Sequence, residues 1–266
     1  MKFIYCDETN METRDGDFLI YGGLTVDDDK FQSLNDKIWL IREKYKIDRS
    51  EKLKFNPGPK HLLHQEFIGL KSELIEAACD HACQFLVYHV LHDLVTDADL
   101  GRRNGINEIC LNFSYLLKAA DTCGMVLLDR FNDLGNKIDG HLTEKFSIGL
   151  TGLPHSEQFR LDRVVGLHYS AIGQSHMPSL IDIILGSYRF ALNSHCRNEA
   201  KHHVSAGKIL KSLRPLFPSD RAGAGIPRIS ISFSPLDIRV PPFKVKYTNA
   251  IDFLRSNGLD IQQKYD

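Results

Sequence analysis

Two short apolar runs in this chain each stop at an aspartate, and together they constrain the fold more than any other feature. Phe3-Ile4-Tyr5 leads through Cys6 into Asp7 and Glu8, and Met125-Val126-Leu127-Leu128 ends in Asp129-Arg130. The first is β-prone and too short for a helix, so it reads as a buried strand. The second is a continuous apolar run of the kind a central strand needs. Asp is depleted in strands, so an Asp at a strand end marks a turn or a site. In open α/β sheets, ligands bind beyond the carboxyl ends of the strands.

The segments between these runs alternate in character. Phe18 to Val26 is a second strand with Gly22-Gly23 inside it, and two strands in direct succession predict an antiparallel pair. Asp27-Asp28-Asp29 offers caps to an amphipathic helix reaching about Tyr45. Glu51 to Phe55 reads as a short edge strand or extended loop, closed by Asn56-Pro57-Gly58-Pro59. A helix over 61–83, a strand over 84–91, a loop at Gly101 to Gly105 and a helix over 106–122 come next. After Asp129 come a helical insert over 135–149, a strand over 163–171 and a helix over 179–193. Asp182 sits at the margin of that helix's apolar stripe, with Gly186 one turn on and Arg189 two turns on, on the same side. A glycine there lets another part of the chain approach the helix. Beyond residue 195 the texture changes: Lys201, Lys208, Lys211 and Arg214 form a basic run, and prolines 235, 241 and 242 interrupt the chain after it. The last helix is expected over 249–256.

Composition narrows the function classes. The formal net charge is -1, so bulk charge gives no support to nucleic-acid binding, which would need a local basic patch. Arg102-Arg103 and Lys201-His202-His203 are the candidates. No apolar run approaches the ~20 residues of a membrane span, and a cytoplasmic protein with reduced core thiols is expected. Cys79-x-x-x-Cys83 with His81 is half of a metal motif with no second half. Gly22-Gly23 lacks the spacing of a phosphate loop. His168 and His176 flank the last strand; a general base or phosphate contact is one reading, a satisfied histidine the simpler one.

Asp7, Asp129 and Asp182, with Glu51 as a fourth acid beside Lys54, have the layout of a two-metal carboxylate site. Crowded carboxylates repel one another, so a cation is their natural partner. Mg²⁺ takes oxygen ligands, usually a few carboxylates plus substrate phosphate, and Mn²⁺ suits the same donors. Two such ions activate water and stabilise the leaving oxygen of a phosphoryl displacement. Lys54 would steady the charged phosphate.

These segments resemble a known family. Tyr5-Cys6-Asp7-Glu8-Thr9 is similar to its Tyr-x-Asp-Glu-Ser start, and Phe18 to Leu24 to its second strand. Glu51-Lys52-Leu53-Lys54-Phe55 resembles its Glu-x-x-Lys-aromatic element, Leu128-Asp129 its mid-chain strand end, and Pro178 to Gly186 its Gln-x-Ala-Asp-x-x-x-Gly helix. The family is the domain of unknown function 3800, grouped with ribonuclease H-like folds. Thr9 replaces the usual Ser, and Leu180 and Ile181 stand where the family has Gln and Ala. The resemblance covers roughly residues 1–195. It implies an α/β, ribonuclease H-like core with a mixed sheet flanked by helices; residues 196–266 have no counterpart in the family and are expected, from their own texture, to form a C-terminal α+β extension. It also implies a Mg²⁺- or Mn²⁺-dependent nuclease acting on RNA or DNA, with Asp7, Asp129 and Asp182 as metal ligands. The rival expectation is a non-catalytic module on the same fold that binds nucleic acid or protein.

Overall fold

Short connections force neighbours to pair antiparallel, and helical crossovers let later strands return parallel. Both rules operate in the computed structural model, which describes residues 1–12, 14–130, 137–150, 160–219 and 225–265. Strand β1 (Lys2–Thr9) pairs antiparallel with β2 (Phe18–Asp27), and β2 with β3 (Gln84–Leu91). On the other side of β1, β4 (Gly124–Asp129) runs parallel to it and β5 (Val164–Ser170) parallel to β4. Strand β6 (Ile231–Ser234) joins parallel to β3. The order is β5-β4-β1-β2-β3-β6, a mixed α/β sheet.

Successive side chains of a strand point to opposite faces, and the apolar residues sort accordingly. One face carries Tyr5, Leu24, Phe85 and Val87 against helices α1 (Asp28–Lys44), α2 (His64–Asp80) and α5 (Met177–Cys196). The other carries Ile4, Cys6, Tyr21 and Leu128 against α3 (Ala98–Ala119). Helix α4 (Lys137–Ile148) lies between β4 and β5 in sequence, and the insert expected from 135 falls partly outside the described residues. The C-terminal residues supply β6 to the sheet. Their helices α6 (His203–Leu213) and α7 (Pro241–Ser256) send Leu210, Tyr247 and Ile251 into the same apolar cluster as α5. Among the described residues, no helix is long and apolar enough to cross a membrane, and all six cysteines are free.

Two expectations are corrected, and the choice left open for Glu51 to Phe55 is decided for the extended loop. Gly101 to Gly105 is not a loop but part of α3. A methyl group on Gly101 would lie 2.5 Å from Leu19 Cδ1, and one on Gly105 2.5 Å from Tyr21 Cβ, so the glycines let α3 lie against β2. Glu51 to Phe55 forms no strand and crosses the surface as an irregular strap. Pro241 and Pro242 open α7 instead of interrupting the chain; a helix's first turn has no use for the N–H that proline lacks.

Helix α5 is held at its C-terminal end. Arg197 ion-pairs with the buried Asp17 at the start of β2, and Asn193 and Asn10 exchange side-chain amide hydrogen bonds of 2.9 and 3.0 Å.

Candidate functional site

The parallel register of β1 and β4 pairs Tyr5 with Leu127 and Cys6 with Leu128. Asp7 and Asp129 come one residue later, on neighbouring strands, and follow Tyr5 and Leu127 onto the face that α5 covers. Asp7 stands opposite Gly22 of β2. A methyl group on Gly22 would lie 2.8 Å from Leu185 Cδ1, so this glycine lets α5 settle onto the sheet beside Asp7. Asp182 lies three residues before Leu185, on the same side of the helix.

The strap closes the group from outside. The Phe55 backbone N–H donates to Asp182 Oδ2 at 2.5 Å. Its side chain lies against Gly186, where a methyl group would sit 2.6 Å from Phe55 Cβ. Gly186 is thus the opening through which the strap reaches the helix. Gly186→Ala is expected to cost about 1–3 kcal/mol, the usual penalty of overpacking. Urea unfolding of the variant measures it.

Neighbouring carboxylate charges add to burial in this group. Burial, then the charges of Glu8, Asp129 and Asp182, hold the Asp7 carboxyl well above the usual range. Burial also raises Asp129, opposed by an Arg130 backbone hydrogen bond, and Asp182 adds to the rise. Asp182 is raised by burial, opposed by the Phe55 N–H and by the charges of Lys54 and Arg189. Lys54 is exposed, and its charge reaches both Asp129 and Asp182.

Other candidates are placed differently. Glu8 points to the opposite face of β1, where its Oε1 takes Arg102 Nε at 3.0 Å. Arg102 also holds Asp99 at 2.7 Å, so this candidate nucleic-acid contact is already engaged by protein carboxylates. The Glu51 carbonyl accepts a hydrogen bond of 2.7 Å from Arg42 Nη2, and its charge acts on Arg42. Among the described interactions, Glu51 is linked to Arg42 and not to the aspartates. His176 packs edge-on to Trp39, with ring centroids 4.9 Å apart.

Asp7, Thr9, Phe55, Asn56, Asp182 and Arg189 line a cleft of about 200 Å³. Asn56 in the cleft wall, and Lys71, whose Nζ lies 4.3 Å from the ring centre of Phe55 in that wall, escape sequence reasoning because only the tertiary fold brings them to the strap. Arg189 is the exception: its spacing of seven from Asp182 already puts both on one side of α5.

Among the described residues, no three His, Cys, Asp or Glu side chains close into a ready ligand sphere for a metal ion. The donors present are nonetheless hard oxygens, mutually repelling and part-buried. They suit a cation held by one or two carboxylates, with water and phosphate oxygens completing its shell, as Mg²⁺ is commonly bound. No family model matches the chain, and a search of curated proteins returns no match.

Proposed function

We propose that this protein is a divalent-metal-dependent nuclease on a ribonuclease H-like core, related to the domain of unknown function 3800 family. The observation that carries the reading is the placement of Asp7 and Asp129 side by side on adjacent parallel strands, with the charges of Asp129 and Asp182 both acting on Asp7. A part-buried group of carboxylates that perturb one another in a cleft is a characteristic arrangement of functional sites. The mixed sheet, with Asp129 at the end and Asp7 near the end of adjacent parallel strands, supports the fold reading.

Asp7 and Asp129 would hold Mg²⁺ or Mn²⁺, with Asp182 completing the acidic wall. A bound divalent cation supplies activation of water and neutralisation of phosphate charge. The chain's own part is positional. The Phe55 N–H fixes the Asp182 carboxylate, and the sheet holds Asp7 and Asp129 in register. Lys54 offers its ammonium to a phosphate lying over Asp129 and Asp182, where a positive charge counters charge developing in the transition state.

The test is cleavage of labelled single- and double-stranded DNA, RNA and a hybrid, with Mg²⁺ or Mn²⁺ and with EDTA. Metal-dependent cleavage of at least one substrate is expected, and none in EDTA. Binding that persists in EDTA without cleavage, and that is unchanged when Asp7, Glu51, Asp129 or Asp182 is neutralised, would instead assign a non-catalytic binding module.

A further inference from the structure

We propose that Arg189 and Lys71, both set against the Phe55 ring, form a subsite for a nucleic-acid phosphate beside the carboxylates. The inference rests on the reading of the cleft as a nucleic-acid site and adds how the strand is held in it.

The Arg189 Nε–H is buried and has no hydrogen-bond partner. No ion pair involves Arg189 or Lys71 among the described residues, although Asp182 is close enough for its charge to act on Arg189. A buried N–H left without a partner is costly unless something completes it. Asp182 acts on it through charge alone, with no hydrogen bond between the two side chains among the described residues.

Aromatic faces place both cations. Arg189 Cζ lies 5.6 Å from the Phe55 ring centre, and Lys71 Nζ lies 4.3 Å from Phe55 and 4.4 Å from Phe67. Cation–π contact positions a charge and leaves N–H groups for an anion. Arginine presents a planar fork that matches phosphate oxygens, and lysine adds a point charge. Arg189, Phe55 and Asn56 line the same cleft as Asp7 and Asp182. A phosphodiester strand approaching that acidic wall is repelled unless cations face it, and these two side chains supply positive charge from the protein itself.

The cleft, at about 200 Å³, has room for one phosphate and its immediate neighbours in a strand. That phosphate is either an internal diester or a terminal monoester.

Fluorescence anisotropy tests this with short labelled single strands, with and without a terminal phosphate, in Ca²⁺ and in EDTA over a range of salt. For single strands, each phosphate contact contributes about 0.7 to the slope of log affinity against log salt. Arg189→Gln and Lys71→Gln are each expected to lower that slope by about 0.7, and the double variant by no more, because both side chains serve one phosphate. Arg189→Lys is expected to recover part of the affinity. A gain from the terminal phosphate that is lost in Arg189→Gln assigns the monoester; no gain assigns the diester. Since Arg189 is part-buried, melting curves accompany its variants, and the half-buried Lys71 gives a second, independent reading.

Wild-type affinity and slope in folded Arg189→Gln and Lys71→Gln would overturn the subsite, as would a wild type that binds no single strand in either buffer. If the wild type cleaves while both variants bind normally, the subsite alone falls. If the variants lose binding and the wild type never cleaves, the subsite stands and the nuclease falls.

Discussion

Asp7→Asn is expected to raise the melting temperature of the metal-free protein at neutral pH while lowering metal-dependent cleavage by about 10²–10³-fold, the scale on which loss of one charge-stabilising group acts. The two effects have one cause. Burial and three neighbouring carboxylates hold Asp7 well above the usual range, so the folded chain binds a proton more tightly than the unfolded chain. Stability then falls as pH rises from the ordinary carboxylate range through the raised Asp7 value, because the unfolded state binds fewer protons there. Asp129 and Asp182, also raised, act with the same sign. An amide at position 7 removes a charge that the metal-free fold must bury. Melting curves at several pH values in EDTA should show a downward slope in the wild type and a shallower one in Asp7→Asn. A variant less stable than the wild type across that window would show that Asp7 supports the fold and is not strained by it.

Arg197→Leu is expected to destabilise the protein by about 3–5 kcal/mol, the cost of leaving one member of a buried ion pair uncompensated. Its partner Asp17 is only 2% exposed. The pair also has a positional role. Arg197 follows the last turn of α5 and Asp17 opens β2, so the contact pins to the sheet the helix that carries Asp182 and Arg189. Replacing both residues together by Leu and Asn should recover much of the loss, since the deficit comes from the stranded carboxylate. Urea unfolding of the single and double variants checks both statements. A single variant within ~0.5 kcal/mol of wild type, the usual surface value, would mean that water satisfies Asp17 in place of Arg197.

Where local pattern decides structure, the sequence can be read directly. The run from Gln84 to Leu91 forms β3 over those residues, and the runs ending at Asp7 and Asp129 form β1 and β4. In the structure Asp7 meets the acid group and Glu8 meets Arg102. The spacing of Asp182 and Gly186 signals a close approach to α5, and the strap makes it through Phe55. What fails is what depends on partners distant in sequence. Gly101 and Gly105 look like loop residues until β2 supplies Leu19 and Tyr21 as the surface they lie against. Glu51 and Lys54 are three residues apart in one strap, yet Glu51 acts on Arg42 and Lys54 on the aspartates. The basic run after residue 200 hides an apolar stripe, Ala206, Leu210 and Leu213, that folds as α6 onto the core.

The proposed function stands or falls on whether Asp7, Asp129 and Asp182 together hold a divalent cation. A thermal-shift titration with Mn²⁺ and Mg²⁺, on wild type and Asp129→Asn, with and without a short oligonucleotide, addresses that point without any assumption about substrate. At about 100 times its dissociation constant, a bound ion stabilises the folded state by roughly 2.7 kcal/mol. The melting temperature of the wild type should rise, and Asp129→Asn should abolish the rise. No rise in the wild type even with oligonucleotide present, or an equal rise in the variant, would contradict a metal site at these three aspartates.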